Sequence, residues 1–446
     1  MKLEIAFSKY RNSIRGQHFF KQMGRITHVN GFLMKGYVPG VNVGSLCEVY
    51  SIDEQYKFIA EVVGFEDRHV LLMSLGELSG VGLGSKIVVL SSQSKIPVGK
   101  EMIGRVIDAL GQPLDDKGEI DALDEIPIYK ETVNPLERSP IREKILLGVR
   151  AIDGLLTLGK GQRIGILAGS GVGKSMLLGM IAKKARADLN VIALIGERGR
   201  EVREFIEDVL GPEGLKKSII VVATSDQSPL LRTRGAFVAS ALAEYFCQQG
   251  KDVLLFMDSV TRFAMAQREI GLNVGEPPTT KGYTPSVFSL MPKLLERAGN
   301  FEGKGSVTGL YSVLVEGEDM EDPIADAVRS IVDGHVVLTR RLAQRGHFPA
   351  IDILQSNSRV MHRLVSEEQM NLAQDIRSML AEYQDAEDLI QIGAYKEGTR
   401  PELDRAIRLH DSINQFLRQR YDEEDSQEDV FEKMLRVVNS GNGAEF

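Results

Sequence analysis

A lysine and a serine close a glycine-rich stretch near the middle of the chain, which reads AGSGVGKS at residues 168–175. An apolar run at 164–167 precedes it and a helical pattern follows, which is the order of strand, loop and helix that a phosphate-binding loop requires. Glycines let backbone N–H groups turn onto phosphate oxygens, Lys174 brings a cation to the β and γ phosphates, and the Ser175 hydroxyl suits Mg²⁺. We therefore expect a nucleotide to bind at Gly169, Ser170, Gly171, Val172, Gly173, Lys174 and Ser175.

Two carboxylates follow apolar runs further along the chain. Asp258 closes the run at 253–257, and a carboxylate there can hold the Mg²⁺ shell beside Ser175. Glu197 follows the run at 191–195, in a strand that we expect to lie next to the loop strand. It is placed to orient and polarise an attacking water. Arg198 beside it is expected to contact phosphate, and the alternative is a surface run that makes pairs along a helix.

A third charge is needed to neutralise a phosphoryl group in transfer. An arginine finger is worth about 10³ to 10⁵ in rate. Residue chemistry alone does not single out one of the many arginines of this chain.

The elements that must position these residues follow from periodicity. Between 151 and 365, buried-strand runs alternate with helical stretches, which predicts an α/β domain with a mostly parallel sheet and helices on both faces. Polar residues gather just after the strands, at the edge where such sheets bind ligands. Short β-like segments before it predict a small barrel or sandwich, and amphipathic stretches after it predict helices. The predicted divisions are an N-terminal segment at 1–20, an assembly domain at 21–92, a connector at 93–150, the nucleotide-binding domain at 151–365 and a helical domain at 366–446.

Composition restricts the function classes. The 446 residues carry a net charge of −8, with 43% hydrophobic and 26% charged residues, which is ordinary for a soluble protein and argues against nucleic-acid backbone binding as the main task. Cys47 and Cys247 lack metal-ligand spacing and are expected to be core thiols of a reducing compartment. No signal peptide and no run long enough to span a membrane is found, so we expect a cytoplasmic protein. The acidic run at 422–425 is interpreted as a solvated turn or helix end, with docking onto a partner as the alternative.

Several longer motifs resemble the type III protein-export ATPases of bacterial flagella and injectisomes. The phosphate loop looks like theirs, and GERGRE at 196–201 resembles the catalytic-glutamate motif that they share with the rotary ATP synthase catalytic subunit. More diagnostic are GEPPTTKGYTPSVF at 275–288, YSVLVEGEDMEDP at 311–323, GHFPAID at 346–352 and SNSR at 356–359.

The resemblance implies an N-terminal β-barrel, a RecA-like ATPase domain and a C-terminal helical domain, assembled into a homohexameric ring with Mg²⁺-ATP at each boundary. It implies that Arg359 reaches into a neighbour's site and that Phe348 lies against adenine. The implied partners are regulatory and stalk proteins, membrane proteins of the export gate and chaperone–substrate complexes, at the cytoplasmic face of the inner membrane. Family members use an N-terminal helix for a regulator and the membrane, and Phe7, Tyr10, Ile14 and Phe19 would form one face of such a helix.

We therefore predict an ATPase that energises type III export, more specifically of flagellar proteins. The alternatives are an injectisome ATPase and the catalytic subunit of a proton-translocating synthase. Because this chain has both Glu197 and Arg359, a ring of identical copies is complete at every boundary, which favours a homo-oligomer. A hexameric RNA translocase is disfavoured, since residues 21–90 lack a run of aromatic and basic residues.

Overall fold

The computed structural model describes residues 22–76, 78–122, 124–130, 134–315, 317 and 319–440. They form two compact units that divide after Lys95. The predicted N-terminal segment at 1–20, with the four apolar residues of its expected helical face, lies outside the described residues.

The first unit is a closed barrel of six antiparallel strands in the order β1-β2-β5-β4-β3-β6. Its interior is filled by alternate side chains of the strands, and Met34, Cys47 and Leu72 are fully buried there. This confirms a barrel rather than a sandwich. The strands are β1 Met23–Asn30, β2 Leu33–Tyr37, β3 Leu46–Tyr50, β4 Lys57–Glu66, β5 His69–Ser74 and β6 Lys86–Ser91.

Both cysteines are buried and free. Burial raises the pKa of Cys47 to about 11 and that of Cys247 to about 12. Their thiols therefore stay protonated and contribute to packing, as predicted.

The second unit is built on a nine-stranded sheet in the order β19-β18-β12-β17-β15-β13-β14-β8, with β16 paired to β17. All of these strands are parallel except β16 and β19. Helices cover both faces, so the central strands are apolar on both sides. The strands are β8 Val106–Asp108, β12 Arg163–Ala168, β13 Leu189–Ile195, β14 Ser218–Ala223, β15 Asp252–Asp258, β16 Gly299–Asn300, β17 Ser306–Leu314, β18 Gly334–Leu338 and β19 Ile351–Ser358.

Two features of this sheet differ from the expectations. The expected adjacency of β13 and β12 is wrong, because β17 and β15 lie between them. The segment predicted as a connector supplies β8, which pairs with Ile220–Val222 of β14 at the sheet's edge. Two small sheets, formed by β7 Lys95–Val98 with β9 Asp124–Pro127 and by β10 Lys144–Ile145 with β11 Leu158–Gly159, complete the strands.

The helices of the second unit surround the sheet and then form a C-terminal group. Among the described residues, none is both long and apolar enough to cross a membrane. They are α1 Arg150–Leu155, α2 Lys174–Lys184, α3 Gly199–Glu204, α4 Gly211–Lys216, α5 Pro229–Gln248, α6 Val260–Asn273, α7 Pro285–Leu295, α8 Pro323–Ile331, α9 Arg340–Gln344, α10 Glu367–Gln391, α11 Pro401–Leu417 and α12 Gln427–Asn439, with a π-helix at Phe205–Leu210 and 3-10 turns at Lys100–Met102, Pro135–Glu137, Thr280–Gly282 and Met361–Arg363.

The C-terminal helices pack on α1 and on one another through the apolar faces that periodicity predicts. On α10, Ile376 and Met379 are buried. On α12, Ser426 and Asp429 form a reciprocal capping box that satisfies the first turn.

The acidic run at 422–425 forms the turn between α11 and α12. It is only partly solvated, because the Asp425 side chain is 8% exposed and accepts a hydrogen bond from Arg150 Nε at 2.5 Å. The Glu423 carboxylate pairs with the same guanidinium, whose side chain is 5% exposed. Lys184, the last residue of α2, donates to the Glu423 carbonyl at 2.5 Å. The run thus holds the C-terminal helices against α1 and α2.

Candidate active site

The glycine-rich loop at 169–173 leaves the end of β12 and enters α2. The backbone φ is 77° at Gly171 and 93° at Gly173, a region that residues with a Cβ rarely adopt. Val172 is buried and anchors the loop in the core, whereas Ser170, Gly171 and Ser175 are exposed. Backbone N–H groups of such a loop at a helix N-terminus form an anion site.

Lys174 is the centre of a cluster of ionisable side chains behind this loop. Its Nζ pairs with Asp258 Oδ1 and lies 3.7 Å from Glu197 Oε1. The side chains of Lys174, Glu197 and Asp258 are 11%, 16% and 4% exposed. The ends of β12, β13 and β15 therefore bring the three predicted residues together, although β13 and β12 are not neighbours.

Asp258 ends β15 and is held from a second direction. Ser312 Oγ, in β17, donates to Asp258 Oδ1 at 2.7 Å. The next residue, Ser259, caps the N-terminus of α6 by accepting from the Arg262 N–H. The carboxylate is thereby fixed at the junction of a strand and a helix.

Glu197 has the proton affinity of a general base for neutral pH. Burial, reinforced by the nearby Asp258 charge and opposed by Lys174, raises the pKa of Glu197 to about 7. A base works best when its pKa lies near the working pH. The arrangement can accept a proton from a water bound above the loop.

Phe348 lies against the end of the phosphate loop. A Cβ built on Gly173 would be 3.7 Å from the Phe348 ring, and the ring is 48% exposed. The Phe348 carbonyl accepts from the Gln419 N–H at 3.0 Å, which ties this loop to the C-terminal helices. An aromatic face that is half-exposed beside a phosphate loop can stack on a nucleotide base.

Arg198 is not brought into this cluster. Its side chain is 76% exposed and pairs with Glu201 one helical turn away at 3.2 Å, as in the surface-run alternative. Its contact with phosphate stays a prediction.

Arg359 lies at the edge of the sheet where β12 and β18 begin, opposite the edge that carries the phosphate loop. It follows the last residue of β19, its N–H donates to the Asp333 carbonyl, and the Asp333 N–H in turn donates to Arg163, the first residue of β12. The six residues of β12 separate this edge from the phosphate loop by about 20 Å at 3.3 Å per residue. Its side chain is exposed and donates to the Arg329 carbonyl at 3.1 Å, so it does not reach the loop of its own copy.

Two residues near the cluster were missed by sequence reasoning. Ser312 is fully buried in β17, where several hydroxyl-bearing residues occur and none stands out in the sequence. Arg262 packs its aliphatic chain where a Cβ on Gly196 would fall. The Arg262 Nε is buried and has no hydrogen-bond partner among the described residues, and its Nη1 contacts Met265 Sδ at 3.9 Å.

The donors near the loop fit Mg²⁺ bound together with phosphates. Mg²⁺ is held through one or two carboxylates plus phosphate oxygens rather than by a full protein cage. Ser175 is exposed at the start of α2. The residue before it, Lys174, pairs with the Asp258 carboxylate.

Comparison with known proteins gives two family matches. Residues 148–358 match the nucleotide-binding domain of the ATP synthase alpha/beta family. Residues 365–436 match the T3SS EscN ATPase C-terminal domain.

Individual relatives match over nearly the whole chain. A flagellum-specific ATP synthase of Bacillus subtilis (strain 168) is 53% identical over 405 residues, which is 91% of this chain and 92% of the relative. A type 3 secretion system ATPase of Sinorhizobium fredii (strain NBRC 101917 / NGR234) is 48% identical over 416 residues, 93% of this chain and 92% of the relative. The solved structure of the assembled ATPase EscN in complex with its central stalk EscO, from the enteropathogenic E. coli type III secretion system, superposes with a TM-score of 0.86 at 46% identity, covering 93% of this chain and 100% of that chain.

Proposed function

Because the chain belongs to the family of flagellum-specific ATP synthases and type III secretion ATPases, we propose that it hydrolyses ATP at boundaries between identical subunits and so energises the export of flagellar proteins. The observation that carries this is the division of the charged groups. Lys174, Glu197 and Asp258 meet at one edge of the sheet, whereas Arg359 is exposed at the other.

Within one copy, the phosphate loop binds the triphosphate and Lys174 turns from Asp258 to the β and γ phosphates. Glu197 accepts a proton from the attacking water, and the pKa of about 7 suits that transfer at neutral pH. The water oxygen bonds to the γ phosphorus as the bond to the β–γ bridging oxygen breaks, which releases ADP and phosphate. Phe348 stacks on the adenine.

Ser175 and Asp258 are the residues that would hold Mg²⁺. When bound, Mg²⁺ would supply positive charge that offsets the negative charge developing on the phosphates during transfer. Lys174 and the backbone N–H groups of the loop contribute to the same end from the protein's side.

Arg359 completes the site of a neighbouring copy. Since one copy cannot bring Arg359 to its own loop, each copy would serve the next, and a head-to-tail contact of this kind forms a ring when its rotation closes. We propose a ring of six. The assembled state of EscN supports an assembled state here.

The proposed partners are those of an export apparatus: a central stalk, as EscN has in EscO, together with regulators, membrane proteins of the export gate and chaperone–substrate complexes. We propose a location in the cytoplasm at the inner membrane, and no nucleic acid as substrate. Service of an injectisome is the second candidate, supported by the match of residues 365–436 to the EscN C-terminal domain. The same match speaks against a proton-translocating synthase.

The test has two parts. The purified full chain should hydrolyse Mg²⁺-ATP, with turnover per copy rising with protein concentration as boundaries form. Expressed in a flagellated bacterium that lacks its own export ATPase, it should restore filaments and swimming. Turnover by a form that stays monomeric at every concentration would contradict the shared site, and rescue of effector secretion without rescue of filaments would assign the injectisome instead.

A further inference from the structure

Ser312 makes a contact that the proposed mechanism does not use. It lies in β17, between β12 and β15, and is fully buried. Its Oγ donates to Asp258 Oδ1 at 2.7 Å. Buried hydroxyls are retained in apolar strands at a cost unless they are bonded, so this hydrogen bond accounts for the serine.

The same Asp258 oxygen is also the partner of Lys174. In the structure Lys174 therefore holds a carboxylate that is almost wholly buried, whereas ATP requires its ammonium group at the phosphates. A buried carboxylate that loses its only partner is strongly disfavoured. Departure of Lys174 is tolerable only if Asp258 keeps another donor.

We propose that Ser312 is a positioning residue that serves as the permanent partner of Asp258 and so releases Lys174 for ATP. The proposal rests on the proposed function, since it assumes that Lys174 binds phosphate. Because both contacts use Oδ1, the hydroxyl also fixes the rotation of the carboxylate when Lys174 has gone. Ser312 acts through Asp258 and Lys174 and does not itself touch the nucleotide.

The experiment compares Ser312→Ala with Ser240→Ala in the full chain. Ser240 is a matched control, because it is a buried hydroxyl in α5 that donates to the Ala236 carbonyl. A fluorescent ATP analogue is titrated with EDTA and with Mg²⁺, and thermal unfolding is recorded for each variant. Ser312→Ala should weaken binding about tenfold in EDTA, where Asp258 is left without a donor once Lys174 moves. The effect with Mg²⁺ should be smaller, about threefold, because the cation compensates the carboxylate, and Ser240→Ala should bind like wild type.

A second arm tests whether the effect passes through Asp258. In an Asp258→Asn background the carboxylate charge is gone, so adding Ser312→Ala should change nucleotide affinity less than twofold, as a double-mutant cycle predicts for a residue that acts through its partner. If Ser312→Ala does not fold, Ser312→Cys replaces it, since a thiol is a weak donor of similar size. Wild-type affinity of a folded variant in EDTA would overturn the proposal. The proposal would also be overturned if Ser312→Ala lost equal affinity in EDTA and in Mg²⁺ and unfolded at a lower temperature than Ser240→Ala. Ser312 would then contribute only to packing. A wild-type chain that binds no nucleotide would overturn the proposed function as well.

Discussion

The two edges of the central sheet carry opposite kinds of chemistry. At the edge where β12, β13 and β15 end, Lys174, Glu197 and Asp258 form a nearly enclosed cluster in which the charges satisfy one another. At the other edge the Arg359 side chain is exposed and donates to the Arg329 carbonyl of its own copy. The first edge is held together by its own ion pairs. The second leaves a guanidinium exposed.

Under the proposed function, this difference explains why a single copy would be an incomplete catalyst. An arginine stabilises the charge of a transition state less if carboxylates of the same chain already neutralise it. About 20 Å of sheet keeps Arg359 away from Glu197 and Asp258 within one chain, and in the proposed ring it would meet the carboxylates of another copy.

Removing the exposed arginine should give the largest effect. Arg359→Ala is expected to lower ATP turnover by about 10³ to 10⁵ while each copy still binds nucleotide, since the phosphate loop is untouched. Steady-state hydrolysis and nucleotide titration measure the two. Arg203→Ala, an exposed arginine in a helix pair with Glu207, is the control and should keep wild-type turnover.

Mixing sharpens the same point. On their own, Glu197→Gln copies are expected to turn over ATP about 10² to 10⁴ times more slowly than wild type. Mixed in equal amounts with Arg359→Ala copies, about a quarter of boundaries in a random ring would join an intact Glu197 to an intact Arg359, so turnover should recover to about that fraction. A mixture no more active than its parts would mean that the two residues do not meet across a boundary.

Phe348→Ala should weaken the enclosed edge without touching the charges. Loss of stacking on a base costs about 1 to 3 kcal/mol, so KM for ATP is expected to rise about 5- to 150-fold with a smaller change in kcat. Phe348→Tyr should retain wild-type KM. An unchanged KM in Phe348→Ala would contradict stacking of the adenine base on Phe348.

The smallest expected effect is a pH dependence of the enclosed edge. Glu197 must be unprotonated to act as a base, and its pKa is raised to about 7. The expected kcat/KM is therefore full above that pH and falls as the pH drops through it, approaching about tenfold per unit. The residual activity of Glu197→Gln should lack this limb. A wild-type limb near the ordinary glutamate value of about 4.3 would contradict the assignment.

Sequence reasoning found the enclosed edge because its chemistry is local. Glycine spacing fixes the phosphate loop, and Glu197 and Asp258 each follow a continuous apolar run, so parallel strands bring them to one edge. It misplaced β13 beside β12 because strand order is set by crossovers that leave no local mark. It missed β8, which has only three residues, and Ser312, whose strand also contains Thr308 and Gly309 and is less evenly apolar than the others.

The exposed edge was beyond residue chemistry. Arg359 is one of many surface arginines, and nothing local distinguishes a guanidinium that waits for a neighbour from one that is merely solvated. It was named only because SNSR at 356–359 resembles a known motif. Sequence therefore predicts a site within one chain better than a site that two chains share.

The turn at 422–425 has a consequence for shortened versions of the protein. A chain cut before Asp422 loses both carboxylates that hold Arg150, a side chain that is 5% exposed. Removing one partner of a buried ion pair typically costs about 3 to 5 kcal/mol. Because α1 packs on the sheet that carries the phosphate loop, such a truncation is expected to destabilise the nucleotide-binding domain as well as the C-terminal helices.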